Sequence, residues 1–168
     1  MSDYGLSQTG RMYDGGIMED FDFLMVLPVA LGDAAAGAAF ARFRTRTLGA
    51  AQAHAAAAGY VGLRGRRPAL FPSTASMVDG HSLSTAFESW SKDYVGFGVA
   101  MAVYEAASAA ADPIFTRDEV WPLLRAVAEW VVARGTFTSP GVFEFGFSMN
   151  RDESMHVLST DPPVRSLL

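Results

Sequence analysis

The stretch DAAAGAAFARFRTRTLGAAQAHAAAAG, residues 33–59, decides the fold class. Fourteen of the chain's 27 alanines fall between Ala30 and Ala58, and alanine has the highest intrinsic helix propensity of any residue. Asp33 offers a side-chain oxygen to the free N–H groups at a helix start, and Gly59 can take the backbone conformation that stops one. Residues 45–49 interrupt the alanines and predict a break into two helices. The stretch therefore reads as helix, and residues 16–58 as the first helices of a mainly α chain.

On the N-terminal side, residues 1–16 are glycine-rich and polar and read as loop. An apolar run from Ile17 to Leu31, carrying Asp20 and Asp22, predicts a buried helix bent or ended near Pro28. On the other side, residues 59–87 hold Gly62, Gly65, Pro68, Pro72 and Gly80 and read as a long connecting loop. Loops of that length tend to carry function or line a site. Residues 88–134 read as a helical hairpin. In its first arm Val95, Val99, Ala102, Val103, Ala106 and Ala110 form a stripe at spacings of three and four, small enough for a neighbouring helix to approach closely. Its second arm is expected to start at the capping box Thr116-Arg117-Asp118-Glu119, to bury Val120, Leu124, Val127 and Val131, and to end at Gly135. Pro140-Gly141 then turns into an alternating, strand-like segment, and residues 141–153 deliver the chain to Arg151-Asp152-Glu153. The tail from Pro162 shows no clear element.

Composition bounds the function. The chain has 168 residues, half of them apolar and 18% charged, so a packed core is expected. A net charge of −5, from 13 basic and 18 acidic residues, speaks against a nucleic-acid partner, which needs a basic face. The absence of cysteine excludes disulfide scaffolds, thiolate metal sites and cysteine nucleophiles. No stretch reaches the ~18 uninterrupted apolar residues of a membrane span, and the N-terminus lacks a signal-peptide plan. The expectation is a soluble, cytoplasmic protein with no membrane partner. One lysine (Lys92) against 12 arginines reads as coding bias.

Several residues could carry chemistry, each with a plainer alternative. Asp20 and Asp22 could line a polar pocket, or could be ordinary first-turn acids of a helix. Asp152 and Glu153 could enter a site, where burial would raise a carboxyl pKa and make a proton donor; equally they could lie in a solvated turn. His54, His81 and His156 lack metal-ligand spacing, and His54 on its alanine helix reads as a surface residue. Arg64-Gly65-Arg66-Arg67 is a short basic loop that could hold an anion or simply be solvated. Trp90, Trp121 and Trp130 could stack on sugars, although Trp121 and Trp130 read as packing residues.

A set of segments in fixed order adds to this. Gly5-Leu6-Ser7 is followed by Tyr13-x-Gly15, then by Glu19-Asp20-Phe21-Asp22-Phe23-Leu24-Met25. Next come the helix junction from Ala41 to Ala51, Gly59-Tyr60-x-Gly62 with Phe71-Pro72, the helix from Val99 to Asp112, Ala128-Glu129-Trp130 with Arg134, and Ser148-Met149-Asn150-Arg151-Asp152-Glu153. From Gly5 to Glu153 this order resembles the catalytic domain of glycoside hydrolase family 65. That family holds acid trehalases, the glucosidase acting on glucosyl-galactosyl-hydroxylysine, and phosphorylases of maltose, trehalose and kojibiose.

The resemblance implies part of an (α/α)6 toroid of six helical hairpins, of which four to five helices and a short β segment near 141–149 are present. It implies an α-glucoside substrate and an inverting mechanism, with Glu153 as the catalytic general acid and Asp20, Asp22 and Asp152 as substrate-binding residues. No cofactor and no metal are implied. The second carboxylate of an inverting pair lies beyond Leu168 in relatives, so the isolated chain is expected to be an incomplete, inactive catalytic domain that self-associates through uncovered helix faces. The sequence departs from the family at Glu19, where relatives carry Trp, at Ser73-Thr74, where they carry Trp-Glu, and at Tyr94, where they carry His. Those departures motivate an alternative: a catalytically inactive helical interaction module built on the same scaffold.

Overall fold

A computed structural model describes residues 16–18, 20–83, 94–145, 148–149, 155–156 and 166–167. Its helices are α1 (Asp20–Ala30), α2 (Ala34–Arg46), α3 (Leu48–Ala57), α4 (Tyr94–Ala110) and α5 (Trp121–Arg134). Short strands accompany them: β1 (Ile17–Met18), β2 (Thr74–Ala75), β3 (Gly135–Ser139), β4 (Val142–Phe145), β5 (Ser148–Met149), β6 (Met155–His156) and β7 (Ser166–Leu167).

The expected punctuation of the alanine stretch is present. Pro28 is tolerated near the C-terminal end of α1, where its missing N–H forfeits a single hydrogen bond. The helix then stops at Gly32, whose φ of +93° is costly for other residues. Gly32 N–H donates to Val29 O and Asp33 N–H to Pro28 O, which satisfies the last carbonyls in a Schellman arrangement. The same Asp33 caps α2, its Oδ1 accepting from Ala36 N–H at 2.9 Å. Thr47 separates α2 from α3. Gly59, with φ +85°, ends α3 through bonds from Gly59 N–H to Ala56 O and Tyr60 N–H to Ala55 O.

Helix α4 is the centre of the packing, touching α1, α2 and α5. Its predicted stripe is correct, with Val95, Val99, Ala102, Val103 and Ala106 buried. Close approach follows from small residues: a Cβ at Gly37 of α2 would lie 3.3 Å from Ala106 Cβ and 2.6 Å from Val29 Cγ2. The core closes around Trp130, 0% exposed, which meets Tyr60 and Phe97 edge-on at 6.4 and 6.1 Å between ring centroids.

Several expectations need correction. Ile17 and Met18 are strand, paired antiparallel with Ala75 and Thr74, so the apolar run becomes helical only from Asp20. Helix α1 is not buried all round: Leu24 is 50% and Leu27 58% exposed. The segment before α5 starts at Asp112, not at a Thr116 capping box. Asp112 Oδ1 accepts from Ile114 and Phe115 N–H with Pro113 in the first position, while Thr116 hydroxyl donates back to Asp112 O. An Asp-Pro pair thus supplies both cap and preset φ, leaving Thr116 inside the helix. A π turn follows at Thr116–Val120. Pro122 accounts for it, because its ring would collide with the carbonyl four residues back in a regular α turn.

Helix α5 also buries a wider arc than predicted. Leu123, Ala126 and Trp130 join Val120 and Val127 inside, Leu124 and Val131 are half-buried, and Trp121 is 57% exposed. Residues 69–71 belong to the same core cluster. There the predicted loop is core: Ala69, Leu70 and Phe71 are inaccessible, with Ala69 N–H donating to Ala126 O and Leu70 N–H to Ala51 O. The loop also contains a 3-10 turn at Leu63–Gly65 and strand β2.

Beyond α5 the chain enters β3, an element absent from the sequence reading. It hairpins into β4 through Pro140-Gly141, with φ +77° at Gly141, and β4 pairs with β7. Gly135 has an extended backbone but no room for a side chain, since its Cβ would lie 2.2 Å from Phe143 Cζ.

Candidate functional site

Helix α1 opens with the carboxylates singled out from the sequence. Asp20 is its first residue and Asp22 its third. β1 fixes the chain on one side of this turn by pairing with β2. On the other side Asp22 is 0% exposed and accepts two hydrogen bonds from Arg44 of α2, Nε to Oδ1 at 2.7 Å and Nη2 to Oδ2 at 2.6 Å. Both oxygens of Asp22 are therefore engaged by one guanidinium.

The surroundings of the pair are apolar. The Arg44 guanidinium carbon lies 5.9, 5.5 and 5.6 Å from the ring centroids of Phe40, Phe43 and Phe71, so π faces assist the charge. Burial pushes the Asp22 carboxyl above its ordinary value, against the opposing charge and hydrogen bonds of Arg44. Thr47 hydroxyl donates to Arg44 O at 3.1 Å. Gly80 presses on Thr47 so closely that a Cβ there would lie 2.5 Å from Thr47 Cβ. Gly80 belongs to a tight reversal in which Ser76 N–H donates to His81 O and Leu83 N–H to Thr74 O. The start of α1, the end of α2 and the 73–83 segment are thus tied into one end of the helical layer.

Asp152 and Glu153 lie outside the described residues, as do Glu19 and Trp90. Ser73 is buried, and Thr74 lies half-buried in β2. Tyr94 is the first residue of α4. His54, expected at the surface, is half-buried, and burial lowers its pKa. With Gly59, Tyr60 and Arg134 it lines an open cavity of about 630 Å³. His81 is exposed beside Asp79 at 3.1 Å. Among the described residues no group of three or more His, Asp or Glu could hold a metal ion, and no helix is long and apolar enough to cross a membrane.

Sequence reading missed the partners. Arg44 had a signal: it follows Gly37, Phe40 and Ala41 at helical spacing on the buried face of α2, where a cation requires a carboxylate. Glu129 had none. It is buried on α5 and accepts from Arg66 Nη1 at 2.6 Å and Leu63 N–H at 3.2 Å; the Arg66 hydrogen bond is the main cause holding its carboxyl below the ordinary range.

No family model and no curated protein matches the chain. A solved structure described as "Putative kojibiose phosphorylase from human microbiome" does, with 22% identity and a TM-score of 0.71. The match covers 91% of this chain but 21% of that one, so the present chain spans about a fifth of that structure's length. The likeness establishes the fold: a mainly helical chain whose elements are arranged as in one stretch of that protein.

Proposed function

We propose that the chain is part of a carbohydrate-active catalytic domain acting on α-linked glucosides. The observation that carries this reading is the shared fold over 91% of the chain with a protein described as a kojibiose phosphorylase. The order of motifs from Gly5 to Glu153 supports it independently. Asp20, at the tied-down start of α1, anchors the sugar at the cleaved bond. Asp22, expected among the substrate-binding residues, has both oxygens on Arg44 and serves that subsite instead by fixing the helix. Glu153 protonates the leaving oxygen as general acid of an inverting mechanism, beside Asp152.

Calorimetric titration with glucose, trehalose, maltose and kojibiose tests the anchor. Asp20→Asn keeps the shape and removes the charge, and is expected to weaken the best ligand about tenfold, as for one charge-assisted hydrogen bond. Equal affinities in wild type and variant contradict the role of Asp20. Absence of heat with every sugar favours the alternative, a non-catalytic helical interaction module. Burial of Ser73 where relatives carry Trp-Glu also supports that second reading.

The exposed apolar residues belong to the same reading. Leu24 and Leu27 of α1 and Met101 and Tyr104 of α4 are each more than 40% exposed on two helices that pack together. Such faces drive association. Light scattering is expected to show mass rising with concentration, and Leu24→Glu with Leu27→Glu to return the chain to monomer. A wild-type monomer at all concentrations defeats this expectation.

A further inference from the structure

The basic loop that the glucoside reading leaves unused forms one wall of a cavity. Arg66, Arg67 and Arg125 of α5 line a space of about 290 Å³, with Gln52, Gly65 and Glu129 also on its walls. Three arginines against one glutamate leave an excess of two positive charges there, in a chain whose net charge is −5.

The loop is held in place rather than merely solvated. Glu129 grips it at two points, accepting from Leu63 N–H and from Arg66 Nη1. Gln52 Nε2 donates to Arg67 O at 3.4 Å. The backbone turns sharply between these anchors, with φ +53° at Arg64 and +74° at Gly65. Both Glu129 oxygens are thereby occupied, whereas a guanidinium carries five N–H donors and Arg66 commits one nitrogen. Arg67 and Arg125 form no ion pair within 4.0 Å among the described residues, although the Arg125 charge also acts on Glu129, and both are exposed.

We infer that this cavity between the 63–67 loop, α3 and α5 binds a phosphate group, as free phosphate or as a phosphomonoester. Three arginines lining one cavity carry more N–H donors than a single carboxylate can accept, and guanidinium groups suit the oxygens of a dianion. The volume is roughly ten times the ~30 Å³ share of a water molecule, room for a phosphate and a small organic group. None of the cavity's residues belongs to the α1 site, so the inference stands or falls apart from the glucoside reading.

Amide NMR of the whole chain, titrated with inorganic phosphate and separately with phenyl phosphate, tests it. Saturable shifts are expected at Gly65, Arg66, Arg67 and Arg125, weakening as salt is added. Arg67→Ala and Arg125→Ala are each expected to weaken binding about tenfold and the double variant to abolish saturation, while Arg117→Ala, outside the cavity, changes nothing. Retained spectral dispersion verifies folding; should an alanine variant fail there, Arg125→Gln and Arg67→Gln replace it. Tighter binding of phenyl phosphate identifies an ester as the ligand, and equal or weaker binding identifies the free ion. Absence of saturable shifts with either anion, or an equal loss in Arg117→Ala, overturns the inference.

Discussion

Asp22→Ala is expected to lower the unfolding free energy by about 3–5 kcal/mol, as removal of one partner from a buried ion pair does. The cause is the group left behind. Arg44 is 2% exposed and both of its Asp22 bonds vanish together, while Phe40, Phe43 and Phe71 offer ring faces but no acceptor oxygen. An uncompensated cation in such a place loses its water without gaining a counter-charge. Asp22→Leu combined with Arg44→Met removes both charges, keeps the volume, and is expected to recover most of the loss. Asp22→Asn separates charge from shape and falls between wild type and Asp22→Ala. Urea unfolding with an unchanged slope measures all four proteins, and adding Asp22→Leu alone and Arg44→Met alone completes the double-mutant cycle that gives the coupling. Because the pair is buried, moderate salt should leave the Asp22→Ala difference almost unchanged. A loss below about 1 kcal/mol would mean that the pair behaves as an exposed one.

The effect extends beyond stability. Asp22 sits two residues from Asp20 in the first turn of α1, and Arg44 ties that turn to the end of α2. Released from Arg44, the turn is held by the β1–β2 pairing alone on one side. Loss of sugar affinity in Asp22→Asn beyond its loss of stability would therefore mark Asp22 as a positioning residue.

Local rules made much of the helical layer legible. Asp33, Gly59 and the stripe on α4 were readable because each depends on neighbours within four residues. What escaped depends on distance along the chain. Residues 68–71 carry proline and lie between glycines, which reads as loop, yet helix carbonyls at Ala51 and Ala126 accept their N–H groups and let them become core. The Asp112-Pro113 start outcompeted a well-formed capping box at Thr116, four residues after Asp112. That outcome turns on where α4 ends, a fact the box itself does not encode. At the site, the acidic residues of α1 stood out as carboxylates in an apolar run. That one of them is held by a buried cation needed Arg44, 22 positions from Asp22, to be placed against it. Glu153 rests on the order of motifs.

For that reason Glu153 carries the second large prediction. Glutamine has nearly the shape of glutamic acid but no proton to donate, so Glu153→Gln should remove general acid catalysis while sparing binding. Such catalysis contributes about 10²–10⁴-fold to a rate. The loss should depend on the leaving group: nearly complete for a disaccharide, whose departing alkoxide needs the proton, and small for an aryl glucoside, whose phenolate departs without it. Unfolding or distortion of the site would depress both substrates alike, so the contrast separates chemistry from structure.

The measurement is glucose release from trehalose, maltose and kojibiose, with and without phosphate, against release from an aryl α-glucoside. It is made on the longest polypeptide that carries this sequence, with Glu or Gln at position 153. The proposed function predicts a fall of about 10²–10⁴-fold on the disaccharides and little change on the aryl substrate. Equal disaccharide turnover by the two proteins would contradict it.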